Sequence, residues 1–483
     1  MTDLYLGIDI GTTGTKSVVL DGNGNFVGKG YKGYPLSTPF EGAFEQNPEA
    51  WYDALSESVR IALHGVDGRA VKALSFSAQG GSFFAAKKTD GGKLVALTDA
   101  YTWMDVRATE QFERISEQIS SEEFYQITGW RLSPSSMFCR LLWLKENLPE
   151  IFESAEIFLT TSDYAYYRLT GEAVIDHTSA AMTGLFDIKS SEWSDRLLNI
   201  VGISRSQLPR LMKTGEKIGK LLPEQAEKLS LSTETKVLCG VHDQYAAAIA
   251  SNTVNPNDVL ISTGTTWVVF GKSEKLRFTE SYLSPCPHPT GGYGVIGSAV
   301  SSGTVIEWLK GQFGCSFEEL NTEAKKRDAE KGLFVYPFVS GCGEYREDKD
   351  VSAAILGLSF RHDKFDVIRA AMEGVAFEIK FLLSEFEKAG VKAERVKIAG
   401  GAANSRLWME ILASVLGRTL FVTEEKDICP IGAAAIALGD TNAVCLRGGQ
   451  IEPNAELVAF YQEKYVLYRE NEARAKNITK NIK

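Results

Sequence analysis

A Gly-Thr-Thr turn occurs twice in this 483-residue sequence, and the repeat constrains the fold more than any other feature. The first turn occupies residues 11–13 and the second residues 264–266, about half of the chain apart, and each separates two short apolar runs. Apolar runs joined by small residues are typical of strands in a hairpin. Because a pattern that returns half-way along a chain favours duplicated architecture, we predict an N-terminal domain over residues 1–250 and a C-terminal domain over residues 251–483.

Helical segments are predicted between these strands. Asn47 fits the cap and Pro48 the first position of a helix. Trp51, Leu55 and Val59 recur at helical spacing on the face that this helix would bury. Strand pairs followed by helices indicate an α/β layer architecture.

Charge and cysteine content exclude several classes of protein. The formal net charge of −10 argues against binding to nucleic acid, because phosphate backbones select basic surfaces. The apolar runs are too short to span a bilayer, so we expect no membrane segment. The seven cysteines are scattered without a C-x-x-C pair, which is typical of reduced, packed thiols. We therefore expect a cytoplasmic globular protein.

The stretch from Asp9 to Lys16 contains groups suited to binding a phosphate. Its small residues let backbone N–H groups close around an oxyanion, and Thr12, Thr13 and Lys16 add donors and positive charge. Asp9, at the end of the first strand, suits a hydrated Mg2+ beside phosphates. The second turn, at residues 262–266, repeats this arrangement of hydroxyls and amides. The alternative is a glycine-rich hairpin turn that is duplicated only for folding.

A carboxylate follows a further predicted strand. Asp243 leaves this strand just before an alanine-rich helix, so its side chain can project while small residues pack behind it. This is the placement required of a general base for a hydroxyl group. The alternative for Asp243 is a helix N-cap, and we expect the neighbouring His242 to be a packed residue rather than a catalytic one.

Gly400 and Gly401 form a turn between a predicted strand and a long helix capped by Asn404 or Ser405. A turn of this kind lets a planar ligand approach the backbone closely. The spacing is not the dinucleotide fingerprint, because no G-x-G-x-x-G is present. The alternative is a tight strand-to-helix turn without a ligand.

With these four motifs in this order, the chain resembles the FGGY family of carbohydrate kinases. Residues 45–51 are similar to the family's E-Q-x-P-x-x-W segment, and residues 103–107 to its W-x-D-x-R segment. The family's C-terminal signature fits residues 353–373 throughout. The N-terminal signature fits less well, because Arg140 stands where a lysine is usual and Met137 where a small residue or proline is.

The resemblance implies an α/β protein with the actin-like ATPase fold, in which two ribonuclease-H-like domains flank a nucleotide cleft. It implies a phosphotransferase that uses ATP and Mg2+ to phosphorylate a hydroxyl of a sugar, polyol or sugar acid. The N-terminal domain would then hold the sugar and the first phosphate motif, and the C-terminal domain the second phosphate motif and the adenosine. A homodimer is the assembly that the resemblance implies.

Residue roles follow from the same resemblance. Asp243 would be the general base, and Asp9 would lie near Mg2+. ATP would be bound by Thr12, Thr13, Lys16, Gly264, Thr265, Gly303, Gly401, Asn404 and Ser405. The acceptor would face Gln79, Trp103, Asp105 and Gln244.

Two glycines bear on the identity of the acceptor. After the glutamine that matches Gln79, glycerol kinases carry Arg-Glu and xylulokinases Met-His, whereas this chain has Gly80 and Gly81. Two glycines leave space, so we expect an acceptor larger than glycerol, namely a ketose such as xylulose. The alternatives are another polyol or a sugar acid, a non-catalytic sensor of sugar or nucleotide on the same fold, and an ATPase that acts on protein partners.

Overall fold

The computed structural model describes residues 3–339, 341, 351–441, 444 and 446–480. The chain forms two compact units, and each is described separately. Unit 1 comprises Met1–Asn252, Cys286–Gly291 and Asp427–Cys445, and unit 2 comprises Thr253–Pro285, Gly292–Lys426 and Leu446–Lys483.

The strands are short and are numbered in chain order. In the first half of the chain they are β1 Leu4–Ile10, β2 Gly14–Asp21, β3 Phe26–Gly33, β4 Glu45–Gln46, β5 Val71–Ala78, β6 Phe83–Lys88, β7 Leu94–Ala96, β8 Ala100–Tyr101, β9 Ile157–Thr160, β10 Val174–Asp176, β11 Phe186–Asp187, β12 Glu192–Trp193, β13 Arg210–Met212, β14 Lys217–Lys220 and β15 Lys236–His242. In the second half they are β16 Asp258–Thr263, β17 Trp267–Ser273, β18 Ser284–Pro287, β19 Tyr293–Ala299, β20 Phe334–Tyr336, β21 Ala354–Leu356, β22 Arg395–Gly400, β23 Leu420–Thr423 and β24 Gly448–Ile451.

Helices follow half of these strands. They are α1 Pro48–Ala62, α2 Thr109–Ile115, α3 Ser121–Thr128, α4 Met137–Asn147, α5 Pro149–Ser154, α6 Thr161–Thr170, α7 His177–Ala181, α8 Asp195–Val201, α9 Pro223–Lys228, α10 Asp243–Ala250, α11 Ser302–Phe313, α12 Phe317–Lys325, α13 Lys364–Lys388, α14 Arg406–Leu416, α15 Cys429–Leu438 and α16 Ala455–Lys480. Helix α1 begins where the sequence predicts, because the Asn47 side chain accepts the N–H of Glu49 at 2.8 Å.

No helix in the described part of the chain is long and apolar enough to cross a membrane.

The cysteines behave as packed residues where the structure describes them. Cys139, Cys239, Cys286, Cys315 and Cys429 all carry free thiols, and the first four are buried. Cys342 and Cys445 lie outside the described residues.

Unit 1 is built on a six-stranded sheet with the order β14-β15-β5-β1-β2-β3. Strands β1 and β2 form the antiparallel hairpin that the first Gly-Thr-Thr turn closes. Strand β5 lies parallel to β1 on one side and to β15 on the other. Ala78 of β5 is level with Ile10 of β1 and with His242 of β15, so the C-terminal ends of these three strands lie at one edge of the sheet.

A second sheet of unit 1 carries two of the segments that resemble kinase motifs. It contains β4, β8, β6 and β7 in that order, and β9 pairs with β6. Glu45 and Gln46 form β4, and β8 ends two residues before Trp103. The pairing of β4 with β8 therefore brings the two motif segments side by side.

Unit 2 repeats the order of the first sheet in strands β24-β23-β22-β16-β17-β19, and β18 extends the sheet beyond β19. Strands β16 and β17 form the hairpin of the second Gly-Thr-Thr turn, and β22 lies parallel to β16 and β23. Thr263 of β16 is level with Gly400 of β22, so the second turn and the Gly-Gly turn share one edge. The repeated strand order explains the repeated turn and confirms the α/β prediction.

Helix α15 belongs to unit 1 although it lies near the end of the chain. Residues 430–437 of this helix are all buried, and a helix that is apolar all round is stable only in an interior. Gly432 lets it approach α10, because a Cβ there would lie 1.9 Å from the carbonyl oxygen of Ala246. Chain order alone puts this segment in the second predicted domain, whereas packing places Asp427–Cys445 in unit 1.

We expect Gly432→Ala to lower the free energy of unfolding, because its methyl group meets backbone atoms of α10. Overpacking of this kind costs about 1–3 kcal/mol. Gly311→Ala in α11 is the matched control, since nothing lies within 4 Å of its Cβ position and alanine favours a helix over glycine. Thermal unfolding of both variants checks the prediction, and an equal Tm for the two would contradict it.

Candidate active site

Three polar side chains lie at the common strand edge of unit 1. Asp9 is the penultimate residue of β1, Gln79 follows β5, and Asp243 follows β15. Because the three strands are parallel and in register, these residues lie close together. The sheet therefore brings together the residue predicted to lie near Mg2+, one residue predicted to contact the acceptor and the predicted general base.

The first Gly-Thr-Thr turn is held by hydrogen bonds to its carbonyl groups. The Gly11 carbonyl accepts from the hydroxyl of Tyr34, and the Thr12 carbonyl accepts from Nε2 of Gln46 at 2.6 Å. The hydroxyl of Thr12 also accepts a hydrogen bond of 3.0 Å from the indole Nε1 of Trp103. Thr12, which is predicted to bind phosphate, and Trp103, which is predicted to contact the acceptor, are therefore in direct contact.

Gln46 links several parts of this edge, although sequence reasoning gave it no role. Its Oε1 accepts hydrogen bonds of 3.0 Å from Nε1 of Trp51 and from Nε2 of Gln79. The only sequence signal for Gln46 is its place in the E-Q-x-P-x-x-W segment. The Oε1 atom of Gln79 is buried and has no hydrogen-bond partner among the described residues, so it can accept a hydroxyl group of a ligand.

Asp9 is a buried carboxyl group among like charges. Its Oδ1 accepts a hydrogen bond of 2.8 Å from the hydroxyl of Ser77. Burial, followed by the negative charge of Asp243, raises the pKa of Asp9 to about 7, and Asp427 adds to the shift. The hydrogen bond from Ser77 and the charge of Lys16 oppose it. A cation at this position would relieve the repulsion.

Lys16 forms an ion pair with Asp427, a residue that sequence reasoning missed. Burial lowers the pKa of Lys16, but the hydrogen bond and charge of Asp427, with the charge of Asp9, outweigh burial and raise it. The partners are 411 residues apart, and no motif marks Asp427. Thr13 is exposed on the neighbouring turn, as contact with a phosphate would require.

Asp243 is the first residue of α10, directly after β15. Its side chain is 28% exposed, but its Oδ1 is buried and lies 3.1 Å from Nε2 of His242. The buried Oε1 of Gln244 has no hydrogen-bond partner within the described ranges. The edge thus offers one partly exposed carboxylate and two buried amide oxygens, those of Gln79 and Gln244.

The volume beside Gly80 is filled by other side chains. A Cβ at Gly80 would lie 2.6 Å from Cγ of Met182 and 2.7 Å from Cδ2 of His242. Gly81 has a φ of +73°, a conformation that glycine adopts readily. The expectation that both glycines leave space for a larger acceptor is therefore wrong at Gly80, because Met182 and His242 occupy that space.

Asp105 is fully buried, and its carboxylate is already engaged. Its Oδ1 accepts from Nε of Arg107 at 2.9 Å, and its Oδ2 accepts from Nη2 of Arg107 and the N–H of Phe44, each at 2.8 Å. Arg107 also pairs with Glu45 at 2.6 Å. These bonds fix the segment that follows β8. Contact of Asp105 with the acceptor stays a prediction, whereas Trp103 is 45% exposed and open to a ligand.

The second Gly-Thr-Thr turn is exposed in unit 2. Gly264 and Thr265 lie at the surface between β16 and β17, and the Thr265 carbonyl accepts the N–H of Thr304 at 3.1 Å. Gly303 lets α11 approach the turn, because a Cβ there would lie 2.2 Å from the carbonyl oxygen of Gly264. Gly303 thus packs against the turn, and its contact with adenosine stays a prediction.

The Gly-Gly turn lies at the same sheet edge of unit 2 as the second Gly-Thr-Thr turn. Gly401 and Asn404 are exposed in a short 3-10 turn that follows β22. Ser405 is buried, and its hydroxyl caps α14. Of the two residues predicted as the cap, Ser405 is therefore the cap, and Asn404 is free of that role.

The sequence matches the FGGY family of carbohydrate kinases along most of its length. The N-terminal domain of that family matches residues 4–250, and its C-terminal domain matches residues 259–439.

Individual relatives and a solved structure agree with this match. A gluconokinase of Bacillus subtilis is 28% identical over 460 residues, which cover 92% of this chain and 89% of that protein. A xylulose kinase of the same organism is 29% identical over 440 residues, which cover 89% and 87%. The crystal structure of ligand-bound xylulose kinase from Lactobacillus acidophilus has a TM-score of 0.91 and 26% identity, with 98% of each chain covered.

We expect Asp9→Asn to raise the Tm of the ligand-free protein more at pH 8 than at pH 5.5. The pKa of Asp9 is raised from 3.8 to about 7, so its ionisation destabilises the folded state as the pH rises through this interval. Asparagine removes that charge. Asp53→Asn, at an exposed position on α1, is the control for the same chemical change. An Asp9→Asn shift of equal size at both pH values would contradict the prediction.

Proposed function

The chain belongs to the FGGY family of carbohydrate kinases, and from this premise we propose that it transfers the γ-phosphoryl group of Mg-ATP to a hydroxyl of a ketose such as xylulose. Members of this family have the actin-like ATPase fold and are phosphotransferases with an alcohol acceptor and ATP as donor. The observation that carries the proposal is the partly exposed carboxylate of Asp243 beside the amide oxygens of Gln79 and Gln244.

In this mechanism Asp243 accepts the proton of the acceptor hydroxyl as its oxygen attacks the γ-phosphorus and ADP leaves. Phosphoryl transfer depends on positioning and on charge neutralisation more than on covalent chemistry. The buried amide oxygens of Gln79 and Gln244 would accept hydrogen bonds from other hydroxyls of the sugar. The exposed indole of Trp103 would cover the apolar face of the sugar.

The phosphates of ATP would be bound by the residues of the two repeated turns. In unit 1, Thr12 and Thr13 offer hydroxyl and N–H donors, and Lys16 offers positive charge. In unit 2, Gly264 and Thr265 offer the same kind of exposed backbone and hydroxyl donors.

The adenosine would be bound by residues of unit 2. Gly401 and Asn404 are exposed there, and Asn404 has side-chain groups that can meet a base or a ribose. Gly303 and Ser405 would act through the backbone, since one packs against the turn and the other caps α14.

Mg2+ suits the charges around Asp9. This carboxyl group lies near Asp243 and Asp427, and a divalent cation would offset their mutual repulsion. Over the described ranges, no group of three or more ligating side chains is assembled. In phosphoryl-transfer sites, Mg2+ is usually held by one or two carboxylates together with water and phosphate oxygens. Asp9 would hold the ion, which supplies charge neutralisation for the transferred phosphoryl group.

Both arginines near the predicted acceptor residues are engaged within the protein, and this favours a neutral sugar over a sugar acid. The side chain of Arg107 is buried and paired with Asp105 and Glu45. Arg140 is buried and donates to four backbone carbonyls, among them that of Gly81. Neither guanidinium is available to the carboxylate of a sugar acid. Gluconate is the second candidate, because a gluconokinase is among the relatives.

The proposal predicts that a ketose stimulates release of ADP from Mg-ATP. The measurement is a panel of ketoses, polyols and sugar acids that includes D-xylulose and D-gluconate. Asp243→Asn should still bind ATP, but its turnover should fall by about 100-fold or more, because an amide cannot accept the proton. The exposed variant Asp53→Asn is the control for the same chemical change and should keep wild-type turnover.

Two results would contradict this proposal. Near-normal turnover of Asp243→Asn would remove Asp243 from the role of base. No stimulation by any acceptor, with wild type and variant alike, would favour a non-catalytic sensor of sugar or nucleotide.

A further inference from the structure

His242 fills the volume beside Gly80 and faces the carboxylate of Asp243. We propose that His242 is a positioning residue, which fixes Asp243 for proton transfer, and that Gly80 makes room for the imidazole. The inference rests on the proposed function, in which Asp243 accepts the proton of the acceptor hydroxyl.

The contact joins Nε2 of His242 to Oδ1 of Asp243 at 3.1 Å. Oδ1 is buried, and no donor among the described residues is aligned with it. Hydrogen bonds at catalytic groups are often poorly aligned before the substrate binds and tighten in the complex. A neutral imidazole protonated on Nε2 would donate to Oδ1 and leave Oδ2 to meet the acceptor hydroxyl.

Both the backbone and the ring of His242 are held in place. The backbone N–H of His242 donates to the hydroxyl of Thr178 at 2.8 Å, and the ring packs edge-on against Tyr245 with centroids 6.3 Å apart. On the side of Gly80, a Cβ would lie 2.9 Å from Nε2 itself. A ring held in this way orients its partner without a large loss of side-chain freedom.

Packing alone does not explain an imidazole at this position. Nδ1 of His242 is buried, and it has no hydrogen-bond partner in the part of the chain that the structure describes. A buried polar atom without a partner costs free energy that an apolar side chain of similar volume would avoid. The cost is explained if the ring is required for what Nε2 does at Asp243.

Two substitutions of His242 separate the hydrogen bond from packing. His242→Leu fills a similar volume without a donor, whereas His242→Gln places an amide donor where Nε2 lies. With D-xylulose and D-gluconate as acceptors, we expect His242→Leu to lower kcat about 10- to 100-fold with the KM for ATP unchanged. His242→Gln should restore kcat to within about threefold of wild type.

His362 provides the matched control. It is a histidine of unit 2 whose side chain is 1% exposed and whose Nε2 lies 2.9 Å from Oε2 of Glu330. His362→Leu and His362→Gln should change Tm but leave kcat unchanged. Wild-type kcat in His242→Leu, or a His242→Gln variant as slow as His242→Leu, would overturn the proposal.

Gly80→Ala tests the inference from the opposite side of the contact, because its methyl group would displace the imidazole. We expect Gly80→Ala to lower kcat in the wild-type chain and to have a smaller further effect in His242→Ala. The same methyl group would also meet Met182, so the effect of Gly80→Ala on kcat is measured in a Met182→Ala background as well. If Gly80→Ala lowers kcat by the same factor in His242→Ala and in Met182→Ala as in the wild-type chain, Gly80 and His242 act independently, and the proposal fails.

Asp243→Asn distinguishes failure of this inference from failure of the proposed function. If Asp243→Asn keeps near-wild-type turnover, the role of Asp243 as base fails, and the role of His242 fails with it. If Asp243→Asn is inactive while His242→Leu is unaffected, only the role of His242 fails. No turnover with any acceptor of the panel overturns both.

Discussion

Parallel pairing of β5 with β1 and with β15 is the constraint on which the candidate site depends. The backbone ladder sets the ends of these strands at one edge, and the positions of Asp9, Gln79 and Asp243 follow from it. A slip of one residue in either ladder would turn every side chain of the shifted strand to the opposite face of the sheet. The apolar residues that lock the register are therefore as necessary to the chemistry as the polar residues that perform it.

The same edge concentrates polarity that folding alone does not favour. Asp9 is buried near two other carboxylates, and the amide oxygens of Gln79 and Gln244 have no partners over the described ranges. Each of these groups costs free energy while the site is empty. A cation and a ligand rich in hydroxyl groups supply the charge and the donors that they need. Binding sites commonly lower the stability of the folded protein in this way.

Local patterns in the sequence were enough for the turns, the start of α1 and the place of Asp243 before an alanine-rich helix. Each depends on residues that are neighbours in the chain. Asp427 could not be predicted, because its contact with Lys16 spans 411 residues and depends on packing. Glycine in place of the larger residues of related kinases suggested empty volume at Gly80, yet side chains from elsewhere in unit 1 fill it. Sequence reasoning therefore located the strand edge but not the side chains that close around it.

Because α15 is encoded near the end of the chain, unit 1 cannot complete its interior while its own sheet is being synthesised. The last strand of that sheet ends at His242, and α15 begins only at Cys429. At a translation rate of about 5–20 residues per second, the apolar surface that α15 covers stays exposed for on the order of ten seconds or more. Long-range contacts of this kind slow folding and leave nascent intermediates open to aggregation. Unit 1 therefore completes its interior only after the chain has been synthesised as far as α15.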